Sequence, residues 1–275
     1  MPKFSGILLA SDLDGTLLDH EGSLSRENRD ALLYFMQNGG LFTAATGRGR
    51  QSFEKVRGII PKNAPVILSN GGLVIDFGKT GCEENVIFRD FLSDECYTYL
   101  DMVISRFPDI GIESYAVEGI SSYNPNEYAW WHFNYVGVAD QVSVVESLSD
   151  MPRPFNKVIF TQENERLKAF AEVFSREIGD RFELVFSAPF LFEMQSKGIS
   201  KASGILKIAE ALGISRDRIF AAGDQENDLS MIKAFHSFSP EDGQDIVKKE
   251  ATHIVSPCDR HSISHAIRII EDEYC

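Results

Sequence analysis

A chain of 275 residues with a formal net charge of −14 can bury a sizeable core, as one large domain or two modest ones. Its 43% apolar and 25% charged residues are those of an ordinary globular protein, and the acidic excess argues against nucleic acid or an anionic membrane as partner. A small phosphorylated molecule stays compatible, provided a metal ion or a few placed Lys and Arg residues overcome that background. The cysteines, Cys82, Cys96, Cys258 and Cys275, are widely spaced with no CxxC pair and read as reduced thiols. The apolar run Ile7 to Ala10 is too short for a signal peptide and no later run approaches a membrane span, so a cytoplasmic location is expected.

Along the chain, the first third alternates strand and helix signals. Gly6 to Ala10 reads as a strand buried on both faces. Ser25 is placed to cap a helix running to about Asn38, which Gly39-Gly40 ends. Leu41 to Ala45 is the next strand, Gln51 to Arg57 a helix and Val66 to Leu68 a third strand. The last third repeats the rhythm, with a helix from Lys201 to Ala211, a strand at Ile219 to Ala222 and a helix near Asn227. Strands at His236 to Phe238 and Ile254-Val255 follow, and a closing helix runs from Ser262 towards Tyr274. Strands alternating with helices imply right-handed crossovers and a parallel sheet.

The middle differs. Ile112 to Val117, Val158 to Thr161 and Phe182 to Phe186 alternate apolar and polar residues, as in a sheet with one wet face. Helical patterns at Asp94 to Arg106 and Asn164 to Phe174 are expected to cover its other side. The expected architecture is α/β: a doubly wound, Rossmann-like core (1–83 and 190–275) with an inserted α+β cap domain (84–189) and hinges near Thr80–Glu84 and Ala188–Pro189.

Four clusters fall where core strands end, the edge at which open α/β sheets bind ligands. In Asp12-Leu13-Asp14-Gly15-Thr16, two carboxylates one residue apart both reach one cleft, although an Asx turn or helix cap would use the same residues. Thr46-Gly47-Arg48 offers a hydroxyl and backbone N–H groups at a strand-to-helix turn, suited to phosphate or to an ordinary helix start. Lys201 follows Gly198-Ile199-Ser200 at a helix start, where an ammonium suits phosphate as a point charge, although a lone lysine is more often a solvated surface charge. In Gly223-Asp224-Gln225-Glu226-Asn227-Asp228, Asp224 sits at a strand end, while Asn227 and Asp228 also suit a helix cap. A carboxylate attacking a phosphate dianion meets repulsion of about 4 kcal/mol per charge pair at about 4 Å, which Mg²⁺ would relieve.

With these clusters the chain resembles haloacid-dehalogenase-superfamily phosphatases of the Cof-type group, whose large cap lies between the second and third motifs. The resemblance rests on DLDGT at 12–16, TGR at 46–48, SNGG at 69–72, GISK at 198–201 and GDQENDLSM at 223–231. It implies that Asp12 is nucleophile and Mg²⁺ ligand, and that Asp14 is general acid/base with its backbone carbonyl on the metal. Thr46, Gly47, Lys201 and Asn227 then hold the substrate phosphate, Asp224 completes the metal site, and Asp228, Arg48 and Asn70 support it. The family's ATPase branch has Thr in place of Asp14, so phosphatase chemistry is expected. Ala202 after Lys201, and His261-Ser262-Ile263 near the C-terminus, depart from the common pattern without touching this chemistry.

The expected substrate is a small phosphorylated metabolite such as a sugar phosphate, and the expected assembly a monomer or small homo-oligomer. The aromatic segment Glu127 to Val136 places Trp130 and Trp131 either in the cap's packing or against a sugar-like leaving group. A sugar phosphomutase, or a non-catalytic phosphometabolite sensor, is the alternative to a phosphatase.

Overall fold

A computed structural model describes residues 2–78 and 84–275. The chain divides into two compact units, Met1–Gly47, Val56–Phe88 and Ser200–Cys275 forming one, Arg48–Lys55 and Arg89–Ile199 the other.

The first unit is built on a five-stranded, wholly parallel sheet, in the order His253–Val255, His236–Pro240, Ile219–Ala222, Leu8–Ser11, Leu41–Ala44. An isolated bridge, Ala45 to Ile67, links the last strand to Val66–Leu68, which pairs antiparallel with Leu73–Asp76. Every residue of Leu8–Ser11 is buried, as its unbroken apolar run requires. From this central strand the chain winds outward to Leu41–Ala44 on one side. Later it returns through Ile219–Ala222 on the other. The order reverses between Leu8–Ser11 and Ile219–Ala222, and such a switch point leaves a crevice beyond the strand ends.

Local chemistry sets the flanking helices. Ser25 caps Arg26–Gln37 by accepting from the Asn28 N–H, and Ser200 and Ser203 form a capping box at the start of Lys201–Leu212. Gly213 ends that helix with φ +67°. Ile205, Ile208 and Met231 pack on Leu8, Ala10 and Ile219. The closing helix spans Ser262–Tyr274 and packs on Arg26–Gln37.

The second unit carries a six-stranded sheet, in the order Phe182–Ala188, Leu191–Ser196, Phe155–Thr161, Gly111–Ala116, Ile120–Tyr123, Val142–Val145. Neighbours are antiparallel except the last pair. Glu95–Arg106 and Asn164–Ile178 contribute Leu100, Val103, Phe170 and Phe174 to a core with Phe160 and Phe192. Two sequence expectations change here. Leu191–Ser196 belongs to this sheet, so the chain passes between the units at Ile199–Ser200 rather than at Ala188–Pro189. The earlier hinge, Thr80–Glu84, lies largely outside the described residues. The sheet face expected to be wet is buried: Glu113, Lys157 and Glu193 are 0%, 2% and 2% exposed. Lys157 pairs with Glu193 at 2.7 Å and Glu113 with His132 at 2.9 Å, so their polarity is satisfied internally. The helix Glu127–Tyr135 covers part of this face, with Ala129 and Phe133 against Tyr115, Ile120 and Ile159.

Candidate active site

Asp12 follows Ser11 directly, and Gly223-Asp224 follow Ala222, its register partner in the neighbouring strand. Parallel pairing alone therefore brings Asp12 and Asp224, 212 positions apart in sequence, to the same end of the sheet. Lys201 enters from the helix start. Its ammonium, with no exposed surface, donates to Asp12 Oδ1 at 2.6 Å and Asp228 Oδ1 at 2.5 Å. The other Asp228 oxygen accepts the backbone N–H groups of Asp224 (2.9 Å) and Gln225 (3.0 Å), so three residues hold the Asp228 carboxylate. Gly223 is needed there, because a Cβ would lie 2.5 Å from the Asp228 carboxyl carbon.

Asp224 accepts from the Thr16 hydroxyl at 2.6 Å and from the Gln225 side-chain amide at 2.9 Å. Gln225 is in turn held by the Gln244 amide at 2.6 Å. Thr16 and Gln225 sit inside motifs the sequence displayed, yet only the structure gives them work: both orient the Asp224 carboxylate. Gly15, at φ +84°, turns the chain so closely that a Cβ would stand 2.7 Å from Asp224 Oδ2.

The side-chain oxygens of Asp12, Asp224 and Asp228 lie within 4.8 Å of one another. Burial, then repulsion from Asp228, Asp224 and Asp14, holds the Asp12 carboxyl well above the usual range, with Lys201 opposing. Burial first and Asp228 second push Asp224 up to about 7. For Lys201 burial works against the charge, but Asp12 and Asp228 outweigh it and keep the ammonium charged. Three carboxylates thus face one ammonium, and hard oxygen donors with excess negative charge suit a hard divalent cation. Asp228 is committed to Lys201 and two backbone N–H groups. Asp12 and Asp224 are the members left to hold a metal.

A second group surrounds the turn after Ala45. Asn70 accepts from the Asn227 amide at 3.1 Å, and a Cβ on Gly47 would lie 3.2 Å from Asn70 Oδ1. Asn227 Oδ1 is buried without a partner. Ser69 and Asn70 both adopt positive φ, +48° and +49°, which for non-glycine residues costs about 1–3 kcal/mol each. The Asn70 N–H donates to the Thr46 carbonyl at 3.0 Å, locking the strained turn against the Thr46-Gly47 segment. Gly71 is obligatory next, since a Cβ there would meet the Ser200 carbonyl oxygen at 2.1 Å.

The first unit thus gathers Asp12, Thr46, Gly47, Asn70, Lys201, Asp224, Asn227 and Asp228, with Asp14 one residue past the nucleophile candidate's neighbour and half-buried. Arg48, Trp130 and Trp131 fall in the second unit. Trp131 is 49% exposed, stacked on Tyr135 with ring centroids 4.9 Å apart and edge-on to Phe190, while Trp130 meets Phe133 edge-on.

Carboxylates at adjacent strand ends with a buried lysine between them, on a Rossmann-like sheet, make this an α/β protein with a candidate phosphate- and metal-binding site beyond the strand ends. The family described as haloacid dehalogenase-like hydrolase matches residues 9–267, and the chain belongs to it. It is 27% identical to the 5-amino-6-(5-phospho-D-ribitylamino)uracil phosphatase YwtE of Bacillus subtilis, over 97% of this chain and 99% of that protein. Among solved structures it resembles a haloacid dehalogenase-like hydrolase from Bacteroides thetaiotaomicron (24% identity, 96% and 99% of the two chains, TM-score 0.80). It also resembles the subclass IIB sugar phosphatase BT4131 of the same superfamily (21% identity, 95% and 98%, TM-score 0.81). The enzyme is of the phosphatase class within that family. Among the described residues, no helix is long and apolar enough to cross a membrane.

Proposed function

We propose that this enzyme hydrolyses small phosphorylated metabolites in the cytoplasm, with Mg²⁺ as cofactor and an aspartyl-phosphate on Asp12. One observation carries the reading: the buried Lys201 ammonium holding Asp12 at 2.6 Å beside a carboxylate cluster that is one cation short of balance. Asp12 and Asp224, with the Asp14 carbonyl, would hold the Mg²⁺, which when bound supplies positive charge against carboxylate–phosphate repulsion.

The chain's own groups supply the rest. An Asp12 oxygen attacks phosphorus, the ester P–O bond breaks, and the leaving alkoxide takes a proton from Asp14. A water then attacks the same phosphorus, giving its proton to Asp14, and the bond to Asp12 breaks to release inorganic phosphate. An ammonium has three donors, and Asp12 and Asp228 take two of those on Lys201, so one N–H is left for a phosphate oxygen. Asn227, whose Nδ2 keeps a second N–H beyond the one donated to Asn70, would bring its side-chain amide to the same group beside Gly47. Asp224, oriented by Thr16 and Gln225, keeps the cluster in place between the two half-reactions.

The test is phosphate release with Mg²⁺ from a panel of sugar phosphates, nucleotides and phosphorylated cofactor precursors. The ribitylaminouracil phosphate named for YwtE belongs in that panel. The parent enzyme should release phosphate from at least one member, and Asp12→Asn from none while retaining the fold. Turnover by Asp12→Asn near the parent rate removes Asp12 as nucleophile.

A further inference from the structure

Apart from the carboxylate cluster, three chemically different side chains of the first unit converge. His20 lies in a tight turn in which Asp19 Oδ1 accepts the N–H groups of Glu21 (3.0 Å) and Ser23 (2.8 Å). Asp242 follows the strand His236–Pro240, and Cys258 opens the short turn Cys258–Arg260. Asp242 Oδ2 lies 3.2 Å from His20 Nε2 and 3.3 Å from Cys258 Sγ, and Sγ and Nε2 are 3.6 Å apart. From this arrangement we infer a second metal site, in which His20, Asp242 and Cys258 bind one thiophilic divalent cation of the Zn²⁺ type.

The distances carry the assignment. Zinc bonds of about 2.3 Å to sulfur and about 2.0–2.1 Å to nitrogen and oxygen set tetrahedral edges of about 3.3 Å for N···O and about 3.5 Å for pairs with sulfur. The three observed separations, 3.2, 3.3 and 3.6 Å, match those edges within a few tenths of an ångström. A purely hydrogen-bonded triad accounts for the two contacts of Asp242, each a donor meeting an acceptor. The third contact, Sγ to Nε2 at 3.6 Å, is within hydrogen-bonding range for sulfur as well, and its length is also that of a tetrahedral edge, so all three sides of the triangle fit one ion.

Orientation is fixed as well. Asp242 Oδ1 accepts the Cys258 N–H at 3.1 Å, which turns Oδ2 towards the other two donors. Cys258 is 1% exposed, whereas His20 and Asp242 are exposed, so an ion would enter from solvent and keep a water in its fourth position. Ligand softness separates this site from the first. Thiolate and imidazole select zinc, and an all-carboxylate cluster selects magnesium. Occupancy would pin the His20 turn, eight residues beyond Asp12, to the loops that follow two other strands.

Cobalt(II) titration of the reduced, chelator-treated full chain tests the site, because only a thiolate ligand produces sulfur-to-cobalt charge-transfer absorption. About one equivalent should develop that absorption, Zn²⁺ should displace it, and excess Mg²⁺ should not. Cys258→Ser should abolish it. His20→Ala, a change at an exposed side chain that the fold tolerates, should weaken the apparent affinity about tenfold or more. Three results overturn the proposal: no charge-transfer absorption at stoichiometric cobalt, absorption that survives Cys258→Ser and so belongs to another thiol, or an affinity unchanged in both His20→Ala and Asp242→Asn.

Discussion

Replacing Lys201 by Met keeps an unbranched side chain only one atom shorter and removes its charge. In the parent this ammonium, wholly buried, donates at 2.6 Å to Asp12 and at 2.5 Å to Asp228. Removing one partner of a buried ion pair costs about 3–5 kcal/mol, because an uncompensated charge stays behind. Two charge-assisted hydrogen bonds at about 1.5–3 kcal/mol each reach the same range. Protonation offers a partial escape. Asp12 already binds its proton more tightly than a free carboxyl, from burial first and its acidic neighbours second, and loss of Lys201 pushes it further in that direction. A carboxyl with a raised folded-state pKa adds stability below its unfolded value, and that stability is lost as pH rises through the folded value. The deficit of Lys201→Met should therefore be largest in mild alkali and shrink on acidification. Metal-free urea unfolding should give about 3–5 kcal/mol near pH 8, and at least about 1 kcal/mol less near pH 5. A variant as stable as the parent near pH 8, or a deficit independent of pH, would refute the charge-pairing argument.

Gly71→Ala should be severely destabilising, on the order of 3 kcal/mol, because its Cβ would meet backbone of Ser200 at 2.1 Å and φ is +103°; thermal unfolding measures it. Thr16→Val removes the 2.6 Å hydrogen bond that restrains the upward shift of Asp224, whose pKa is already about 7. Divalent-cation affinity requires the carboxylate and falls as pH drops through that value, so in Thr16→Val the midpoint of affinity against pH should move upward. A midpoint that stays put or moves down contradicts the role given to Thr16. Gly15→Ala should weaken Mg²⁺ binding in calorimetry, since the added methyl displaces Asp224 Oδ2. Trp131→Ala should cost about 0.5–1.5 kcal/mol from its stacking on Tyr135, read from urea unfolding.

The core was legible because its signals are local and agree with one another. Ile219–Ala222 and Ser262–Tyr274 fall where their apolar patterns place them, and the Ser25 cap bounds the first helix within a residue. The strands Ile120–Tyr123, Val142–Val145 and Leu191–Ser196 carry no comparable local signal, because their stability comes from neighbours across the sheet. Leu191–Ser196 in particular carries Glu193 and Gln195, which look like solvent-facing residues until Lys157 is seen beside Glu193. Glu113, on a strand whose alternation suggests one wet face, is buried for the same reason, with His132 beside it. In the pairs Glu113–His132 and Lys157–Glu193, 19 and 36 positions apart, each partner cancels the other's polarity.

The site divides along the same physical line. Asp12, Lys201 and Asp224 stand out only together: a turn, a cap or a solvated charge explains each alone, but the order and spacing of their clusters at strand ends and a helix start do not have that explanation. Thr16 and Gln225 gave no such signal, since a hydroxyl or an amide is unremarkable in a turn. Their importance arises only when parallel pairing of Leu8–Ser11 with Ile219–Ala222 sets two acidic turns side by side. Once that happens, Asp228 is neutralised by Lys201 and by the backbone of its own turn, whereas Asp12 and Asp224 share what remains of one ammonium's charge. The shortage of positive charge is therefore a property of the fold rather than of any single residue, and on the proposed function a divalent ion would answer it at the point where a phosphate dianion would have to approach.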